Sequence, residues 1–220
     1  MTSEFQYPFA APIVSIADPL DGLLQTADLA QPIPVDIVVW DAVRPGYYMQ
    51  LMLNGQLVGS IYTFSDKNKP GDIVTLQLDE NLLDIDEKYD LAFQSTNPIS
   101  LLTNTSPVFY ITVDRQKPGA ALLAMMIFPT VTPGDNLTGQ IAGYAGMQQG
   151  DRIQTVCNGM KGPIHTVVAE ELLHTPIKIV FEREFLQSLG SSTVLIEYFI
   201  TDRAGNVSIM SLPVSLTIET

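Results

Sequence analysis

The chain has 220 residues, of which 46% are hydrophobic and 16% charged, so it can bury one large or two ordinary cores and is too apolar to be a disordered segment. Its 24 acidic against 11 basic residues leave a net charge of −13, which excludes nucleic acid as a main ligand because each phosphate contact needs a Lys or Arg that is scarce here. A single cysteine, Cys157, excludes an intrachain disulfide and any metal site built from several thiolates, and no run of 18 or more apolar residues offers membrane insertion.

The N-terminal run Met1-Thr2-Ser3-Glu4-Phe5-Gln6-Tyr7-Pro8 lacks the basic segment and apolar run of a secretory signal peptide. Residues 1–11 read as an arm. Its Phe5, Tyr7 and Phe9 are bulky for a segment with no core of its own, so they either pack back on the first module or engage a neighbouring subunit, and all three are binding candidates. Period-two alternation then predicts strands from Ile13 to Ile16, Val35 to Val39, Tyr47 to Leu53, Gln56 to Tyr62, Ile73 to Leu78, Lys88 to Ser95 and Val108 to Val113. Trp40 falls near the end of the second of these, where a large ring fills a sandwich end. Tyr47 and Tyr48 are adjacent, so one must face outward, and Tyr48 joins the binding candidates.

From the end of the fifth strand into the sixth runs the densest acidic stretch, with Asp79, Glu80, Asp84, Asp86, Glu87 and Asp90. Calcium takes several carboxylate oxygens on a loop, which makes Asp79, Asp84 and Asp86 candidate calcium ligands. The stretch lacks the order of an EF-hand loop, and a charge run of this kind also serves simply as a solvated corner. The polar run Asp114-Arg115-Gln116-Lys117-Pro118-Gly119 suits a linker over residues 116–119 between modules spanning 12–115 and 120–220. Up to Lys117 there are 15 acidic and 6 basic residues and beyond it 9 and 5, so the first half carries −9 and the second −4.

The second half repeats the first. Gly46 and Gly150 each open an alternating strand, and the strands end in Asn54-Gly55 and Asn158-Gly159, both pairs 104 residues apart. Asn-Gly between strand-like runs is a strong hairpin signal, because both centres of a type I′ turn need φ > 0. Val74 to Leu78 matches Ile177 to Phe181, and Tyr89, Leu91 and Phe93 alternate as Val194, Ile196 and Tyr198 do. Strands are therefore expected from Ala124 to Phe128, Asn136 to Ala142, Arg152 to Cys157, His165 to Val168, Ile177 to Phe181, Thr193 to Thr201 and Ser208 to Ile218, with one helical turn at Arg183 to Leu189. Seven strands per half is the immunoglobulin-like count, so the predicted fold is all-β, two tandem immunoglobulin-like β-sandwich domains.

The run Tyr198-Phe199-Ile200-Thr201-Asp202-Arg203-Ala204-Gly205-Asn206-Val207-Ser208 resembles the penultimate hairpin of bacterial immunoglobulin-like repeats, in which a strand ends in a Thr-Asp-x-x-Gly-Asn turn. Gly and Asn tolerate the left-handed conformation there, and Asp can accept backbone N–H groups. The first module departs from the pattern, with Ser95-Thr96-Asn97-Pro98 where the second has Thr201-Asp202-Arg203-Ala204. The resemblance implies a non-enzymatic role on an extracellular surface, as in adhesins, large secreted repeat proteins and virion components, with an export route left open. It carries over no catalytic residue and no cofactor. The partner expected is a protein or surface assembly, including another copy of the chain. A carbohydrate- or calcium-binding accessory module is the alternative.

His165 and His174, with Cys157, could be imagined as a zinc site or a nucleophile with its base, yet their spacing matches no zinc pattern and no Gly-x-Ser-x-Gly elbow is present. Cys157 directly precedes the hairpin turn, where a small buried residue is ordinary.

Overall fold

Alternation along Ile33-Pro34-Val35-Asp36-Ile37-Val38 puts Ile33, Val35 and Ile37 on one face, and in a computed structural model of the chain this segment is the first strand, β1 (Ile33–Val38), with those three side chains buried. Residues 9–129, 136–174 and 176–217 are described. They belong to two compact units, Met1–Arg115 and Gln116–Thr220.

In the first unit β1 pairs antiparallel with β4 (Ile73–Leu78). A second sheet runs β3 (Gln56–Thr63), β2 (Tyr48–Leu53), β5 (Lys88–Thr96), and the far side of β5 takes both β6 (Thr103–Thr105) and β7 (Phe109–Thr112). Between the sheets lies one core that joins Ile33, Val35, Ile37 and Leu78 to Met49, Leu51, Leu91, Phe93 and Ile111. The second unit repeats the plan. There β8 (Leu137–Ile141) pairs with β11 (Ile177–Phe181), and the other sheet runs β10 (Met160–Thr166), β9 (Arg152–Cys157), β12 (Thr193–Thr201), β13 (Val214–Thr217). Its core sets Ile141, Ile177 and Phe181 against Ile153, Cys157, Ile196 and Tyr198. A short helix, α1 (Arg183–Ser188), follows β11. Two facing antiparallel sheets with these crossovers make each unit an immunoglobulin-like β-sandwich.

The Asn-Gly turns have matching geometry. Asn54 and Asn158 both sit at φ 48°, followed by Gly55 at 78° and Gly159 at 80°. Each asparagine also ties its hairpin to a third strand. Asn54 N–H donates to Asp90 O while its side-chain oxygen accepts from Asp90 N–H, both at 2.8 Å. Asn158 does the same with Leu195, at 2.9 and 2.8 Å.

The strands depart from expectation where proline and serine intervene. The predicted Ile13 to Ile16 strand is only a single bridge from Ile13 to Asp36, and the predicted Ala124 to Phe128 strand only a bridge from Ile127 to Gln140. Pro12 precedes the first and Pro129 follows the second, and a proline cannot donate to a ladder. The predicted His165 to Val168 strand begins earlier, at Met160, because Gly162-Pro163 masks the alternation. The last strand of each unit is interrupted. Ser106 Oγ accepts from Phe93 N–H at 3.0 Å and donates to Pro107 O at 2.9 Å, so the expected Val108 to Val113 strand is β7 with β6 ahead of the break. Ser211 Oγ accepts from Tyr198 N–H at 3.0 Å and donates to Leu212 O at 3.1 Å, so β13 begins at Val214 and not at the expected Ser208; the expected end, Ile218, lies outside the described residues.

These serines satisfy buried N–H groups that the broken strands leave unpaired. Ser106→Ala and Ser211→Ala should each cost about 1–2 kcal/mol, measured as a lower midpoint in denaturant unfolding, because each strands a buried donor.

Candidate interaction surface

Cys157 is fully buried, and burial pushes its thiol up to about 11. Such a thiol is neither a nucleophile nor a ready metal ligand at neutral pH. His165 Nε2 lies 2.8 Å from Glu171 Oε2, which also accepts Val168 N–H at 3.0 Å, so this histidine closes the turn after β10. Burial raises the Glu171 carboxyl, but the Val168 N–H and His165 outweigh it and hold it below the usual carboxylate range. His174 is exposed. Among the described residues no group of three or more His, Cys, Asp or Glu is placed to hold a metal ion.

The acidic stretch works locally. Asp79 Oδ1 accepts the backbone and side-chain N–H groups of Asn81 at 2.9 and 2.7 Å, which lowers its carboxyl. Asp86 Oδ1 accepts Arg115 N–H at 2.9 Å, and Asp84 is exposed.

Phe5 and Tyr7 lie outside the described residues. Phe9 is 7% exposed, with its ring centroid 4.5 Å from Trp40 and 5.3 Å from Phe93. It belongs to the core of the first unit and is withdrawn from any partner, which corrects its place among the binding candidates. Trp40 lies two residues beyond β1, edge-on to Phe64 at 5.2 Å, and Tyr47 OH accepts Asn97 Nδ2–H at 2.9 Å.

Tyr48 is the outward member of its pair. With Gln50 and Met52 it points away from the core, because Met49, Leu51 and Leu53 are the buried set of β2. Around it lie Leu57 and Ile61 of β3, Gln94 and Thr96 of β5, and Leu101 and Thr103, which together line a shallow depression of about 300 Å³. No Asp, Glu, Lys or Arg lines it. Leu57 and Ile61 are 50% and 59% exposed.

The adjoining hairpin loop, residues 97–102, extends this surface. Ile99, Leu101 and Leu102 are 93%, 71% and 68% exposed. Leu101 is held at φ 55°, a region that a bulky side chain rarely adopts. Asn97 enforces it: its side-chain oxygen accepts Ile99 N–H at 2.9 Å and Ser100 N–H at 3.3 Å, while Leu101 N–H donates to Asn97 O at 2.9 Å. Such a conformation persists only where the surrounding structure holds it in place. At the corresponding hairpin of the second unit the left-handed position is taken by Gly205, at φ 85°.

The two units differ most at this sheet face. Met52 is flanked in register by Leu57 and Ala92, whereas its counterpart Val156 is flanked by Lys161 and Glu197. Arg152 stands where the first unit has Tyr48. The sequence indicated Tyr48 but not Leu57, Ile61, Ile99, Leu101 or Leu102, since an apolar residue on a strand or loop carries no sign of its exposure. Comparing the two halves position by position could have found Leu57 against Lys161.

A depression of about 410 Å³ in the second unit is lined by residues 119–124 and 142–145 with Tyr198. Both its hydroxyls are committed, Tyr144 to Asp151 Oδ2 and Tyr198 to Ala124 O, each at 2.8 Å.

No family model matches the chain. No curated protein matches it. Among solved structures it is similar to part of a 1.5-MDa bacterial ice-binding adhesin, from work on host cell surface retention, at 15% identity and a TM-score of 0.46; the match covers 90% of this chain and 61% of that one. The human OSCAR ligand-binding domain matches at 13% identity and a TM-score of 0.42, covering 96% of this chain and 100% of that one. A beta-1,2-glucanase from Parabacteroides distasonis matches at 11% identity and a TM-score of 0.28, covering 86% and 31%. The fold assignment rests on the strands and their pairing.

These placements can be checked by two measurements. Leu101→Asn should raise unfolding stability by about 0.5–1 kcal/mol in denaturant titration, since Asn tolerates the left-handed region. At about pH 8 the folded chain should resist a thiol-specific disulfide reagent and react rapidly once unfolded, as a buried protonated Cys157 requires.

Proposed function

We propose that this chain is a non-enzymatic pair of immunoglobulin-like modules displayed on an extracellular surface, as a virion component or a segment of a bacterial surface adhesin, and that it works by protein contact. The observation that carries this reading is the uncharged depression on the outer face of β3, β2, β5 and β6 with the adjoining apolar loop. A chain of net charge −13 lines that depression without an ionised side chain, the charges of β5 lying at Lys88 and Asp90 toward its far end, and holds Leu101 in a costly backbone conformation beside it. Rigid scaffolds with contact residues on loops are a general arrangement for recognition. Because the loop is already fixed by Asn97, binding loses little conformational entropy.

A neutral carbohydrate is the second reading. It is favoured by Tyr48 standing in the depression beside the uncharged amides and hydroxyls of Gln50, Gln94, Thr96 and Thr103.

Immunogold labelling of intact particles or cells from the native source, with antibody to the folded chain, should decorate their surface. Labelling should fall at least tenfold for the paired substitution Leu57→Lys with Leu101→Lys. Label confined to the interior, or unchanged by that pair, would overturn the proposal. The carbohydrate reading predicts binding to arrayed neutral glycans that Tyr48→Ala abolishes.

A further inference from the structure

The geometry points to a second copy of this chain as the occupant of the uncharged face: two first units pair about a two-fold axis through the outer faces of β2, β3 and β5, with the 97–102 loops at the margins. This rests on the assignment of that face as the interaction surface.

Symmetry sets the first requirement. A two-fold axis brings each residue near it against its own equivalent, so a charge close to the axis meets a like charge. A face that pairs with itself must therefore be free of charge at its centre. In the first unit the centre is Met52 between Leu57 and Ala92, with Tyr48, Gln50, Ile61 and Gln94 around it. The nearest charges in register, Asp90 and Lys88, sit beyond Ala92 along β5, where Lys88 Nζ lies 3.9 Å over the Tyr110 ring.

The second unit is an internal control. It has the same strands in the same order, yet its face carries Arg152, Lys161 and Glu197, so a copy brought onto it would have to desolvate charged side chains at its centre. The edge strands differ in the same sense. The whole of β3, Gln56-Leu57-Val58-Gly59-Ser60-Ile61-Tyr62-Thr63, has no charge and no proline, whereas β10 has Lys161, Pro163 and His165, the residues that protect an exposed strand from association.

Charge also separates a copy from a different protein. A basic partner would be held by carboxylates on the face, and its depression has none. What matches an uncharged sheet face rimmed by aliphatic side chains is a surface of the same kind. Two chains at −13 repel at long range, so pairing through this face strengthens when salt screens them, the reverse of binding to a basic partner.

Four strands about 4.8 Å apart and about 20 Å long present a projected area of roughly 400 Å². The three exposed aliphatic side chains of the loop enlarge it toward the low end of specific interfaces, about 600–800 Å² per partner. An interface at the low end of that range suits a weak, reversible dimer.

Sedimentation velocity of the full chain over about 1–500 µM, at low and high sodium chloride, tests this weak association. The expected result is a monomer–dimer equilibrium that tightens with salt, weakens at least tenfold in Leu57→Lys and in Leu101→Lys, and is unchanged in Ile164→Lys on the second unit. A monomer throughout, a dimer weakened by salt, or equal loss in all three variants overturns the inference. Hydrogen exchange on the unsubstituted chain gives a readout that no misfolded variant can disturb: slower exchange at high concentration should be confined to β2, β3, β5 and residues 97–102, and uniform change or none overturns the pairing. A monomeric result would leave the surface-labelling outcome standing, so the two proposals fail separately.

Discussion

Register is the constraint on which both sandwiches depend, and each Asn-Gly turn sets it. At φ 48° the asparagine closes a two-residue hairpin whose twist suits the flanking strands, and the same side chain reaches across to Asp90 or Leu195. Three strands are thereby locked at one end. A slip of one residue would carry Met49, Leu51 and Leu53 to the solvent side and Tyr48, Gln50 and Met52 into the core. The outer face therefore exists as a defined surface because a turn some residues away excludes every other pairing.

With the register held, the sheets tolerate the serine interruptions. Ser106 and Ser211 turn the last strand aside and satisfy the buried N–H of Phe93 and Tyr198 that the departing backbone leaves behind. In the first unit the aromatic base under the loop is completed from the arm, with the Phe9 ring tilted against Trp40 and Phe93. The loop stands on that base through the Asn97 to Tyr47 hydrogen bond. Its strained Leu101 is thus supported by packing below and by Asn97 within, which is what lets a costly conformation persist.

The two units share this scaffold and diverge on what it presents. Lys161 and Glu197 on either side of Val156 make an ordinary solvated sheet, while Leu57 and Ala92 on either side of Met52 make one that water covers poorly. The first half carries −9 against −4 in the second, yet no carboxylate lines the depression at Tyr48. The two sheets thus differ in the charge they turn to water.

The sequence alone determined the two-module plan, because the features that set it are local. Asn-Gly, the glycines at 46 and 150 and the period-two apolar runs act through backbone torsions and side-chain alternation that need no partner. It also placed α1 and the outward Tyr48. It could not show that Phe9 closes a core, because burial of an arm depends on rings at positions 40 and 93. Nor could it show that the first strands fade to single bridges or that the last ones break at serine, since those outcomes depend on where N–H groups of other strands are left unpaired. The uncharged depression itself was decided only by tertiary structure. Leu57, Ile61 and Leu101 have the composition of core residues, and only the arrangement of four strands and a hairpin places them together on the side that faces water.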